Sequence, residues 1–229
     1  MDSLRRKISR LGLNFIFEIK IYSFSDKIDS ILHFILKTGT SDARKDWFTV
    51  GEYKKLPNEF GGRETTLPEE VPAKMKKLLD AYNGKEAMTL EDILAFHVRF
   101  ERIHPFQDGN GRVGRLVMFK ECLKHNIVPF IIEDSIKMFY YRGLQEWDRE
   151  KGYLTDTCLS AQDTFKKYLD YFRIPYENGK GLFSVQSENS AKFHFGQVIL
   201  AKNGTAKNKT AAIIHRLSYV AVVAEDFII

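Results

Sequence analysis

His104-Pro105-Phe106-Gln107-Asp108-Gly109-Asn110-Gly111-Arg112-Val113-Gly114-Arg115 places an imidazole, a carboxylate, two amides, two guanidinium groups and three glycines in one short run. No hydrophobic core needs that combination. Glycine has no Cβ, so it permits positive φ and lets backbone N–H groups converge on an anion. Arginine offers planar donors to phosphate oxygens. Aspartate suits a hard cation such as Mg²⁺, and histidine is the usual base near neutral pH. The run reads as a metal-assisted phosphate site with a base beside it.

The flanks say how the run is held. Leu90, Ile93, Leu94, His97, Phe100 and Ile103 recur at three- and four-residue spacing, which predicts a helix over 90–103. Thr89 and Asp92 can cap its start reciprocally. His97 falls on the apolar stripe and reads as a helix-face or core residue. Val113, Leu116, Val117, Met118 and Leu123 predict a second helix from Arg112 to His125. The glycine run thus lies between two buried helices. Gly109, Gly111 and Gly114 allow tight turning and close helix packing. The second helix adds N–H groups and a favourable dipole for a phosphate, and Arg112 and Arg115, three apart, are neighbours on one face. No G-x-x-x-x-G-K-[ST] loop competes for the nucleotide role.

Further out, Ile28, Ile31, Leu32 and Ile35 predict a helix within 27–36. Val71, Met75, Leu78 and Leu79 predict another over 69–82, with Pro72 tolerated in its first turn. Segments 135–147 and 157–172 are also helical in pattern, with Asp134 and Thr155 as caps. Between these, Trp47-Phe48-Thr49-Val50 reads as a short strand and Gly51 as a turn. Pro57 to Gly62 reads as a turn-rich return, so 46–66 is expected to form a β-hairpin flap. The expected fold is mainly α, a helical bundle with one flap. Beyond Lys180 the pattern weakens: 196–201 reads as a strand, 202–209 as a turn, and 211–224 as a helix or a strand pair.

The central run resembles the signature loop of the Fic family, H-x-F-x-[DE]-G-N-G-R-x-x-R, which His104, Phe106, Asp108, Gly109, Asn110, Gly111, Arg112 and Arg115 fill at every specified place. The resemblance runs from about Ile31 to Phe172. It implies a Fic-type bundle with a flap, and a protein adenylyltransferase that moves AMP from ATP to a Ser, Thr or Tyr hydroxyl with Mg²⁺. By that resemblance His104 takes the hydroxyl proton and Asp108 holds the metal. Asn110 and the N–H groups around Gly109, Gly111 and Gly114 position phosphates. Arg112 binds the departing phosphates and Arg115 orients the terminal one. Pro105 and Phe106 anchor the loop. The flap would align an extended stretch of target, with Thr49, Val50, Gly51 and Tyr53 near the acceptor.

Ser184-Val185-Gln186-Ser187-Glu188-Asn189 also resembles the family's inhibitory pattern, [ST]-x-x-x-E-[GN]. It implies a C-terminal inhibitory helix, Ser184 to Asn189, in which Glu188 pairs with Arg115. On this reading residues 1–180 form the catalytic domain and 181–229 a regulatory or packing segment. Other nucleotidyl transfer, such as UMP addition, and AMP removal stay open as alternatives. A non-catalytic DNA- or protein-binding regulator is a third reading.

Composition bounds the rest. A chain of 229 residues with 44% hydrophobic content has room for one domain with a sizeable core. Cys122 and Cys158 are too few for a disulfide scaffold and suit a reducing, cytoplasmic setting as buried thiols. No apolar run reaches the roughly 18 residues of a spanning helix, and no leader pattern stands out at the basic N-terminus. The net charge of +5 only weakly favours nucleic acid. Expected partners are the target protein, the chain itself in self-modification, and a second copy in a homo-oligomer.

Overall fold

The computed structural model describes residues 25–171 and Tyr176. Six helices form the described body: α1 (Asp26–Lys37), α2 (Val71–Asn83), α3 (Leu90–Ile103), α4 (Asn110–Lys124), α5 (Lys137–Glu146) and α6 (Gly152–Tyr171). One antiparallel pair, β1 (Glu59–Phe60) and β2 (Arg63–Glu64), pairs Glu59 with Glu64 and Phe60 with Arg63. The mainly α bundle with a hairpin is the architecture expected from the sequence.

Helix α4 is central. It buries Val113, Leu116, Val117, Met118, Phe119, Cys122 and Leu123, which together line more than one of its faces. A helix that is apolar on several sides must be enclosed. On one side α4 meets Leu32 and Leu36 of α1, Met75 and Tyr82 of α2, and Phe165 and Leu169 of α6. On the other, Met118 and Cys122 meet Ile93 and Leu94 of α3, Tyr140 and Leu144 of α5, and Leu154 and Cys158 of α6. Both cysteines are buried free thiols. Helices α5 and α6 approach closely at Gly143, where a Cβ would sit 2.6 Å from Leu154 Cα.

Helix α3 starts where Thr89 and Asp92 place it. The Thr89 hydroxyl accepts the Asp92 N–H at 3.2 Å, and the Asp92 carboxylate accepts the Thr89 N–H at 3.0 Å. Such a cap contributes about 1 kcal/mol. Other helix starts shift. Helix α2 begins at Val71, after a 3₁₀ turn over Pro68–Glu70. Asp134 opens the 3₁₀ turn Asp134–Ile136, and α5 begins at Lys137. Helix α6 begins at Gly152, five residues before Thr157, and the Thr155 hydroxyl bonds back to Lys151 O within it. Threonine and aspartate look like caps in a sequence but also bond to the preceding turn inside a helix.

The flap differs in place. Trp47–Val50 is not a strand. A strand needs a neighbour for its backbone, and this segment is fixed through side chains instead: Phe48 is buried at 6% exposure and lies beside the His33 ring, with centroids 5.9 Å apart. The hairpin turns at Gly61 and Gly62, whose φ of 59° and 73° suit the two-residue turn that matches strand twist. The segment 184–189, the N-terminal 24 residues and the tail patterns beyond Lys180 lie outside the described residues. Among the described residues, no helix is long and apolar enough to cross a membrane.

Candidate active site

Helix α3 delivers His104 as its C-terminal cap. The residue is left-handed, with φ 53° and ψ 60°, and its N–H still bonds Phe100 O. The turn swings the ring back so that Nδ1 lies 3.2 Å from Glu101 O. A carbonyl only accepts, so Nδ1 carries the proton there and Nε2 keeps its lone pair. Phe60 of β1 stacks on the ring with centroids 5.3 Å apart. Histidine is thus roofed by the hairpin and oriented by its own helix. Burial lowers its pKa, with Lys54 adding to the fall, against opposing effects of the Glu101 carbonyl and Asp108. A base with a lowered pKa stays neutral at pH 7 and is lost only when pH falls through that value. The His104 ring itself is expected to titrate below 6.5, the ordinary histidine value, when followed by NMR of labelled histidine; a ring that titrates at or above it would oppose this assignment.

The loop then folds on itself. Phe106 is fully buried and stacked on His33 at 4.2 Å. The Phe106 N–H donates to Asn110 Oδ1 at 2.8 Å, and Asn110 Nδ2 donates to Phe106 O at 2.8 Å. Asn110 therefore spends its amide on the loop, and the group it presents at the helix start is its backbone N–H. Gly109 turns with φ 85°. The first backbone bond into α4 runs from Val113 N–H to Gly109 O, so the N–H groups of Asn110 and Gly111 precede it.

Asp108 sits at the mouth, its side chain 57% exposed. Its carboxylate meets Lys37 Nζ at 2.5 Å and Arg112 Nη2 at 3.6 Å. Burial would raise its pKa, yet the Lys37 contact, the Gly109 N–H and Arg112 together hold it low. Lys37 is 2% exposed and also pairs with Asp42 at 2.7 Å. His33 Nε2 donates to Asp108 O at 3.1 Å, while the Gly51 N–H donates to His33 Nδ1 at 2.8 Å. Burial lowers the His33 pKa to about 4, so the neutral ring serves as this bridge.

The arginines diverge. Arg112 stays near Asp108, whereas Arg115 turns beneath the loop. A Cβ at Gly111 would lie 3.1 Å from Arg115 Nη1, and the Arg115 charge partly offsets the rise that burial gives the Tyr140 hydroxyl pKa. Gly114 leaves the space into which α3 leans, since a Cβ there would lie 2.6 Å from His97 Cε1 and 2.8 Å from Glu101 Oε1. His97 is fully buried, as its apolar stripe implied.

Lys54 ties flap to loop. Its N–H bonds Pro105 O at 2.8 Å, and its ammonium donates to Asn58 Oδ1 and Thr65 Oγ1 at 2.7 and 2.6 Å. Of the expected docking residues, Gly51 contacts the loop through His33, and the Tyr53 ring lies 5.7 Å from Phe106. Thr49 and Val50 are half-buried, and none of the four lies on the hairpin. Sequence reasoning missed His33, Lys37, Lys54, Phe60 and Glu101. A signal existed for two of them. Asp29, His33 and Lys37 recur every four residues beside the stripe of Ile28, Leu32 and Leu36, and all three are buried. A polar row parallel to an apolar one marks side chains that bond inside the protein.

Among the described residues no cluster of three or more His, Cys, Asp or Glu side chains could hold a metal ion by itself. One half-exposed carboxylate, Asp108, fits the way Mg²⁺ binds when substrate phosphates and water complete its shell. A separate cavity of about 460 Å³ between α2 and α3 is lined by Lys74, Lys77, Leu78, Arg99 and Arg102. It adjoins His104 only through Ile103 and holds none of the loop's polar groups.

Comparison with known proteins is consistent with this geometry. Residues 26–122 match the model of the Fic/DOC family. The chain is similar to the protein adenylyltransferase Fic of Aedes aegypti, 30% identical over 98 residues, covering 42% of this chain and 20% of that protein. The Drosophila melanogaster protein of the same name is 27% identical over 160 residues, covering 62% and 32% respectively. The chain thus spans a fifth to a third of these relatives' lengths. Among solved structures, a Fic domain containing signaling protein from Bacteroides thetaiotaomicron superposes with a TM-score of 0.55 at 23% identity, covering 96% of this chain and 71% of that one. Fic-1 of Caenorhabditis elegans superposes with a TM-score of 0.58 at 17% identity, covering 74% and 52%. These two share the fold.

Proposed function

From the premise that residues 26–122 form a domain of the Fic/DOC family, we propose that the chain is a protein adenylyltransferase that transfers AMP from ATP to a hydroxyl of a target protein. The observation that carries this reading is His104, its Nδ1 bound to Glu101 O, beside the N-terminus of α4 and Asp108. His104 Nε2 takes the proton of a Ser, Thr or Tyr hydroxyl. The oxygen forms a bond to the α-phosphorus, the bond from phosphorus to the bridging oxygen breaks, and pyrophosphate leaves. Backbone N–H groups of Asn110 and Gly111 face the phosphates at the positive end of the helix. Arg112 neutralises the departing phosphates and Arg115 orients the terminal one. Asp108 would hold Mg²⁺, which would supply charge neutralisation on phosphate oxygens. Lys37 holds Asp108 in place, and Phe60 keeps the base under the flap. The target's backbone lies along the flap, near Tyr53.

The test is transfer from labelled ATP to proteins of a lysate, or to the chain itself, read by intact mass. An AMP increment supports the reading. A dominant UMP increment under matched conditions replaces ATP with UTP, because the loop's N–H groups and arginines suit phosphates and specify no base.

Residues 1–180 serve as the catalytic domain and 181–229 as a regulatory segment in this proposal. Ser184 to Asn189 forms the inhibitory element, and Glu188 pairs with Arg115. Glu188→Gly is then expected to raise AMP transfer or self-modification over wild type at equal protein and Mg²⁺. His104→Ala in the same background should remove the gain. A folded Glu188→Gly protein with no gain rules out this glutamate as inhibitor. Loss of AMP removal in Glu188→Gly, from a target already carrying AMP, would instead mark a hydrolytic role.

A further inference from the structure

One buried acid beneath the loop has no part in the reading above. Glu101 lies in the last turn of α3, with its side chain 3% exposed. Its main-chain carbonyl is 3.2 Å from His104 Nδ1, and its Oε2 is 4.0 Å from the same nitrogen. Its Oε1 is buried with no hydrogen-bond partner, 3.9 Å from His97 Nε2. A buried carboxylate oxygen left unpaired is costly and calls for a reason. Packing alone would be served by glutamine or by an apolar side chain.

Four elements surround this carboxyl group. His97 lies on its own helix and bonds the Tyr140 hydroxyl of α5 at 2.6 Å. Arg115 of α4 acts on it as a nearby positive charge, with its Nε also buried and unpartnered. His104 faces it from the loop. On the other side of His104, Lys54 disfavours an imidazolium and the half-exposed Asp108 favours one.

We propose that Glu101 is a positioning residue for His104, whose carboxylate acts as the counter-ion when the imidazole accepts the hydroxyl proton. The inference rests on the transfer reaction proposed above. As the proton moves from the hydroxyl to Nε2, the ring becomes positive. Glu101 then holds the Nδ1 edge from two sides, by its carbonyl and by its carboxylate. No proton passes to Glu101. Orienting a base through the nitrogen that does not react is a general device. Burial raises the Glu101 pKa to about 7, against the opposing charge of Arg115, so this counter-ion forms as pH rises through neutrality.

Glu101→Gln keeps the shape and removes the charge. Three readouts are followed: kcat and KM for ATP, the pH–rate profile, and the titration of His104 by NMR of labelled histidine. Expected results are a fall in kcat of about tenfold or more, a fraction of the roughly 10²–10⁴ that a positioned base contributes, with KM for ATP little changed. The inflection near 7, seen in the wild-type rate profile and in the ring shifts of the still neutral His104, should vanish. The folded-state pKa of Glu101 is raised above its ordinary 4.5, so wild type loses stability as pH rises from there through about 7. The glutamine variant should therefore be at least as stable as wild type at pH 8, which separates a charge effect from misfolding. Unchanged kcat with an unchanged profile overturns the proposal. So does a lower kcat when the wild-type His104 ring shifts show no inflection near 7, because that indicates packing alone. If the wild type transfers no nucleotide, the functional reading fails, and the histidine titration still decides whether Glu101 acts on His104.

Discussion

His104→Ala is expected to lower AMP transfer by about 10²–10⁴-fold, the range in which a positioned base contributes, while ATP binding stays within a few-fold of wild type. The separation follows from geometry. In the proposed reaction the ring offers Nε2 to the acceptor hydroxyl, whereas phosphate binding rests on α4, Arg112 and the glycine turn. The fold should survive, because the core contacts of this stretch come from Ile103 and Phe106, at 8% and 0% exposure. Alanine inherits the left-handed backbone at φ 53°, a strain of about 1–2 kcal/mol. Intact-mass kinetics measures the loss and calorimetric titration with ATP measures the binding. Transfer retained within a factor of a few would remove His104 from the role of base.

The largest effect on stability is expected at the opposite end of α4. Lys120 and Glu121 are 0% and 1% exposed and form an ion pair inside the bundle. Glu121 also accepts from the Tyr82 hydroxyl at 2.9 Å and lies 3.3 Å from His125 Nε2. Glu121→Ala takes away the carboxylate facing a buried ammonium. Removing one partner of such a pair costs about 3–5 kcal/mol. Urea unfolding at pH 7 should show it as a lower midpoint with an unchanged slope. Lys120→Met combined with Glu121→Leu should recover most of the loss, because an apolar pair of similar size needs no desolvation of charge. A single variant as stable as wild type would mean that water or a shifted side chain takes over the pairing.

Local patterns announced the parts of the fold that local forces decide. The stripe of α2 and the Thr89–Asp92 cap of α3 were legible because periodicity and capping act over a few residues. The hairpin was legible as a flap but not in place. Aromatic and β-branched content at Trp47–Val50 signalled a strand, while Gly61 and Gly62, read only as turn residues, set the reversal. Phe48 was instead claimed by α1, a long-range contact that no short window contains. The start of α6 was hidden by residues that suit caps as well as interior turns.

The site divides the same way. His104 to Arg115 is contiguous, so its chemistry stood on one line of sequence. Lys37, Lys54, Phe60 and Glu101 reach that line from four other segments, and only tertiary packing shows what they serve. The family resemblance implies Asn110 as a phosphate ligand. Geometry assigns its amide to Phe106, which leaves its main chain for an anion.

That closed ring between Asn110 and Phe106 has a thermodynamic consequence. Two hydrogen bonds of 2.8 Å imitate the pairing of two strands across four residues, so the loop is ordered by folding rather than by its ligand. A nucleotide that meets it forfeits little conformational entropy. Affinity then follows the charge on the phosphates, and salt weakens it. Exchange of the Phe106 amide should be slow before any nucleotide is added, while the Asn110 and Gly111 amides, which precede the first backbone bond of α4, exchange fast.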